Sequence, residues 1–180
     1  MNQRWFFLLT ACILVISLAL RLIPPISNNL YFTMDQGNDA IQASGITTFR
    51  HLPLLGPETS IFGLHSGPAW FYFIAAGYTI FAGHPFGPVF LLILLNTLLT
   101  FIIIKKIAKE VSPAIGLLVC LALQFSWLFY DGSRYSFNPF PNTFLIFIAV
   151  FLLTDFLKGK PQKYILAAIP LALFFHTDIA

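Results

Sequence analysis

Long apolar runs, broken only by short clusters of basic residues, decide what this chain can fold into. A helix needs about 20 mostly apolar residues to cross a hydrocarbon core roughly 30 Å thick. Residues 5–23, 85–107, 113–130 and 140–157 meet or approach that length, and a last run over 164–180 is just long enough. Of the 180 residues 58% are hydrophobic and only 9% are charged. About a quarter is the usual charged share for a soluble domain, so the outer face of this one must meet lipid. The expected fold class is therefore all-α, a polytopic membrane protein of about five transmembrane helices. The opening run has a basic start, but Arg21-Leu22-Ile23-Pro24-Pro25 offers no small-residue cleavage site. It reads as an uncleaved first span, ended by the two prolines, with Arg21 snorkelling to the interface. Cys12 and Cys120 both fall inside apolar runs and read as packing residues, with no metal spacing and no disulfide to argue.

The net charge of +3 and the pI near 9.0 are explained by the same pattern. The basic residues sit between apolar runs, where they report membrane orientation and not nucleic-acid binding. The clusters Lys105, Lys106, Lys109 and Lys158, Lys160, Lys163 belong in the cytoplasm. If residues 68–82 also crossed the membrane, both clusters would fall outside while Arg4 lay inside. If that short segment, rich in Trp70, Phe71, Tyr72, Phe73 and Tyr78, lies along or dips into the outer leaflet, all three basic positions fall inside. It is therefore expected to be a juxtamembrane or re-entrant helix. A first external loop then covers 27–85 and a second 131–139, so the polar chemistry gathers on the outer side.

Within those loops, Asp35 and Asp39 stand one helical turn apart and share a face if 34–48 is helical. Such a pair can act as a general base or bind a divalent cation. It can equally be an acidic first turn favoured by the helix dipole, or a solvated face. Arg134 in the second loop is suited to bidentate phosphate recognition, or to anchoring at the interface. His51, His65 and His84 lack metal-ligand spacing, and His176 is expected to be satisfied by a neighbouring helix. No glycine-rich phosphate loop, nucleophile elbow, zinc-protease motif or internal repeat is present.

The run Met34-Asp35-Gln36-Gly37-Asn38-Asp39-Ala40 resembles the first-loop acidic motif of GT-C membrane glycosyltransferases. The resemblance is to the branch of the protein O-mannosyltransferases and lipid A aminoarabinose transferases. Leu55-Gly56-Pro57-Glu58-Thr59-Ser60 and Gly67-Pro68-Ala69-Trp70-Phe71-Tyr72 look like that branch's next block, where aromatics begin a juxtamembrane helix. Lys105-Lys106-Ile107-Ala108-Lys109 and Ser133-Arg134-Tyr135-Ser136-Phe137-Asn138-Pro139 match in order and spacing, so the resemblance covers nearly the whole chain.

That resemblance implies transfer of a sugar from a polyprenyl-phosphate donor to a lipid, glycan or protein acceptor on the non-cytoplasmic face of the cytoplasmic membrane. Asp35 matches the acidic residue that acts as base or binds a metal ion near the acceptor. Arg134 is the candidate for the donor phosphate, Asp39 for sharing a divalent ion, and the aromatic helix for walling the cavity. Two departures stand out. Many relatives have an Asp-Glu pair where this chain has Asp35-Gln36, and family enzymes continue through further spans beyond Asp178-Ile179-Ala180. The sequence is accordingly expected to be the N-terminal part of such an enzyme. The alternative is a non-catalytic membrane protein: a transporter subunit, a scaffold or a truncated inactive relative. A transporter would carry polar or charged residues in mid-span, where the notable ones are Asn96, Thr97, Thr100 and Gln124.

Overall fold

The computed structural model describes residues 2–136, 140–159 and 162–177. They form eight helices: α1 Gln3–Ile26, α2 Met34–Thr47, α3 Ala69–Ile80, α4 Phe86–Glu110, α5 Pro113–Phe125, α6 Trp127–Gly132, α7 Phe140–Leu157 and α8 Gln162–Thr177. The fold is all-α and polytopic, with α1, α4 and α7 long and apolar enough to cross a membrane. At 12 residues α3 is about 18 Å long, too short to cross alone. Lys160, the stretch Phe137-Asn138-Pro139 and the end of the last expected span lie outside the described residues.

Two of the expected boundaries differ. Pro24 and Pro25 lie inside the last turn of α1, which runs on to Ile26. The run over 113–130 is not one helix, because the backbone turns extended at Ser126 (φ −65°, ψ 141°) and separates α5 from α6. That break removes the helical partner of the Gln124 carbonyl, and Arg21 Nη2 donates to it instead at 2.8 Å.

The chain divides into two compact units, Met1–Tyr31 with Val89–Ser136, and Phe32–Pro88 with Phe137–Ala180. In the first unit α1 packs on α5, with Leu14, Ile104 and Cys120 buried together. Gly116 lets α5 come close to α4 and α1, since a Cβ there would sit 3.1 Å from Ala108 Cβ, 3.2 Å from the Ile104 carbonyl and 3.3 Å from Phe6 Cε2. Gln124 ties the helices together. Its Oε1 accepts from Ser17 Oγ (2.6 Å) and Arg21 Nη1 (2.8 Å), and its Nε2 donates to Asn96 Oδ1 (3.0 Å) and Thr100 Oγ1 (2.6 Å). Arg21 does not snorkel. It is 0% exposed, and its Nε donates to Ser133 Oγ at 2.5 Å. Five donors in a planar fork let it satisfy carbonyls and hydroxyls that a lysine would miss.

In the second unit α2 packs against α3 around Ala43, Trp70, Phe71, Ile74 and Ala75. The C-terminal pair α7 and α8 pack on each other, and Thr177 Oγ1 donates to Asn142 Oδ1. α8 also meets α3, where the Gly67 amide donates to the Phe175 carbonyl at 3.0 Å.

Candidate functional site

The site is built on α2. Thr33 is its N-cap, and Gln36 at the third helical position reaches back to accept the Thr33 amide at 2.6 Å, completing a capping box. Gln36 is thus spent on starting the helix. The helix then places Asp35, Asn38, Asp39 and Gln42 on one face, and all four line an open cavity of about 970 Å³. Ala43, one turn beyond Asp39, carries the adjoining side of the helix into the α3 contact. Asp35, Asp39 and the predicted helix are therefore brought together as the spacing required.

The other wall of the cavity is the segment from His51 to Ser60, with His65 and Phe71. Backbone contacts fix it. The Arg50 and His51 amides donate to the Gly45 carbonyl at 2.9 and 3.2 Å, and Tyr72 Oη donates to the Pro53 carbonyl at 3.2 Å. A small hairpin follows, with Gly56 N–H to Ser66 O at 2.8 Å and Thr59 N–H to Leu64 O at 2.8 Å. Glu58 Oε1 accepts the Gly63 amide at 3.0 Å, across a turn in which Gly63 adopts φ +78°. Gly56 has no room for a side chain, since a Cβ would lie 2.1 Å from the Gly67 carbonyl oxygen.

Asp35 is exposed, while Asp39 is half-buried and accepts the Trp70 indole N–H at 2.8 Å. Burial pushes the Asp39 carboxyl up to about 6, the Trp70 bond opposes the shift, and the Asp35 charge adds to it. Neither carboxylate forms an ion pair among the described residues, and no lysine or arginine lines the cavity. As a metal site the pair is partial. Among the described residues no three His, Cys, Asp or Glu side chains gather. Two carboxylates, with one Asp39 oxygen held by Trp70, would give a divalent ion at most a partial set of oxygen ligands.

The histidines divide. His51 and His65 line the cavity, and His65 Nδ1 lies 3.2 Å from the Gly56 carbonyl. His84 Nδ1 accepts the Phe86 amide at 3.1 Å at the start of α4. His176 differs from expectation: its ring packs where a Gly67 Cβ would be, and its buried Nδ1 has no hydrogen-bond partner among the described residues. Arg134 belongs to the other unit. Its guanidinium stands 5.2 Å from the Tyr130 ring centroid, and its buried Nε has no partner among the described residues.

Trp70, Tyr72 and Arg21 carry roles that sequence reasoning missed. The aromatic run of α3 signalled rings for an interface. Trp70, 1% exposed, instead faces α2 and holds the second carboxylate.

The family model described as dolichyl-phosphate-mannose-protein mannosyltransferase matches residues 65–177. The matched stretch includes His65, Trp70 and Arg134 and begins after Asp35 and Asp39. No curated protein and no solved structure matches the chain.

Proposed function

The chain belongs to the dolichyl-phosphate-mannose-protein mannosyltransferase family, a family of membrane glycosyltransferases, and from that premise we propose that it moves a sugar from a polyprenyl-phosphate donor onto an acceptor hydroxyl at the non-cytoplasmic face of the cytoplasmic membrane. The observation that carries the chemistry is the exposed Asp35 on the rim of a roughly 970 Å³ cavity, beside a second carboxylate that Trp70 holds in place.

Asp35 is the general base. It takes the proton of the acceptor hydroxyl as that oxygen forms its bond to the anomeric carbon and the bond to the donor phosphate breaks. Asp39, with its carboxyl raised to about 6, is still mostly ionised near neutral pH and orients the rim through Trp70. Arg134 is the candidate for the donor phosphate that the resemblance implies, a guanidinium being suited to phosphate oxygens. Should a divalent ion bind instead, Asp35 and Asp39 would hold it and it would help neutralise a phosphate. The acceptor is a lipid, glycan or protein hydroxyl.

One observation favours a second reading. Asn96, Thr100, Gln124 and Arg21 converge inside the first unit, as the interior of a transporter does. Membranes containing the protein as the cell makes it separate the two. Label should pass from a polyprenyl-phosphate-linked radioactive sugar to acceptor material, and not from a nucleotide sugar. Transfer no greater than in membranes lacking the protein, with solute uptake into vesicles instead, overturns the enzymatic reading.

A further inference from the structure

Arg21 and Arg134 stand with their guanidinium carbons 5.4 and 5.2 Å from the centroid of one ring, that of Tyr130. Arg21 is 0% exposed, and all its hydrogen bonds go to neutral groups: Ser133 Oγ, Gln124 Oε1 and the carbonyls of Gln124 and Phe129. Neither arginine forms an ion pair among the described residues. Asp131, the nearest acid in the chain, meets Arg134 only through its backbone carbonyl, which accepts the Arg134 amide at 2.9 Å. Hydrogen bonds to neutral partners solvate a guanidinium but leave its charge unbalanced, and a buried unbalanced charge in a membrane protein is costly. Two such charges sharing one ring make the cost larger. The Arg134 Nε, buried and without a partner among the described residues, is a donor still to be used.

We propose that Arg21 is the hidden second cation of an oxyanion site with Arg134, and that the site takes a phosphate monoester or diester. Arg134 supplies the free donors. Arg21 acts from behind: its charge adds to the field at Tyr130, and its bond to Ser133 holds the turn that presents Arg134. It is a positioning residue, and the inference rests on the assignment of Arg134 to the donor phosphate. The same chemistry accepts a lipid phosphate or free phosphate.

The test is titration of the detergent-solubilised protein with farnesyl phosphate, with farnesol as the uncharged control and inorganic phosphate as competitor. Arg21→Gln should lose at least tenfold in farnesyl phosphate affinity, whereas Arg21→Lys, which keeps the charge but not the fork to Ser133 and Gln124, should recover only part of that loss. Gln124→Glu gives a variant that keeps the fork in place. It sets a carboxylate against Arg21, and the unpartnered Asn96 Nδ2 can turn to donate to it. Its thermal midpoint should hold while phosphate affinity falls at least tenfold. Competition by inorganic phosphate points to the free anion as ligand, and failure to compete points to the lipid; both support the site. Unchanged affinity in Arg21→Gln and Gln124→Glu overturns the role of Arg21, as does equal loss in Arg21→Lys and Arg21→Gln. Arg134→Gln separates the premise. If it alone loses affinity, Arg134 stands and Arg21 falls; if it loses none, the assignment of Arg134 fails and the paired site with it.

Discussion

Asp39 carries the pH sensitivity of the candidate site. Its carboxyl is raised to about 6, so the folded unit holds that proton more tightly than the unfolded chain does. Stability is then highest below about pH 4, falls as pH rises through about 6, and stays lower above it. Asp39→Asn removes the charge penalty while leaving an oxygen for Trp70. It should raise the thermal midpoint at pH 7.5 and flatten the dependence between pH 4 and 6. The gain is on the order of 1 kcal/mol, discounted from the full shift because the group is only half-buried. A lower midpoint at pH 7.5 contradicts the burial argument. Trp70→Phe keeps the ring and deletes the N–H donor, so it should raise the Asp39 carboxyl further and cost about 1–2 kcal/mol. Carboxyl titration followed by infrared difference spectroscopy reads the first effect, and thermal unfolding the second.

At the scale of elements, glycines mark where the backbone has no slack. Gly56→Ala drives a Cβ into the Gly67 carbonyl, and Gly67→Ala drives one into the His176 ring, 2.1 Å from Nδ1. Both should displace the cavity wall and lower transfer at least tenfold. Gly37→Ala is the contrast. Its Cβ meets only Phe32 Cε1, at 3.8 Å, so the change should stabilise α2 by about 0.5–1 kcal/mol and spare activity, measured by thermal unfolding and transfer rate.

The same scale shows what the sequence made legible. α1, α4 and α7 could be read because length and apolarity are local properties. The shared face of Asp35 and Asp39 followed from helical spacing alone. The break at Ser126 could not be read, since the freed Gln124 carbonyl is satisfied by Arg21, 103 residues away. The bond from Trp70 to Asp39 crosses 31 residues and leaves no local trace. Arg21 looked like an interface anchor because a span end is where arginines usually sit. Only packing puts it beside Gln124 and Ser133.

For the whole molecule, orientation is the first requirement. Lys105, Lys106, Lys109, Lys158 and Lys163 should face the cytoplasm, and the wall from His51 to Ser60 the opposite side. In a background with Cys12 and Cys120 replaced, Lys109→Cys should label with a membrane-impermeant thiol reagent only after permeabilisation, and Ser60→Cys before it. The reverse pattern contradicts the proposed active face. If Asp35 draws the proton from the acceptor, the rate of sugar transfer from a polyprenyl-phosphate donor must collapse in Asp35→Asn. With equal amounts of variant and wild-type protein in the membrane, transfer should fall at least 100-fold while the apparent affinity for the donor stays within about threefold. Transfer within threefold of wild type would remove Asp35 from the reaction and leave the cavity without its base.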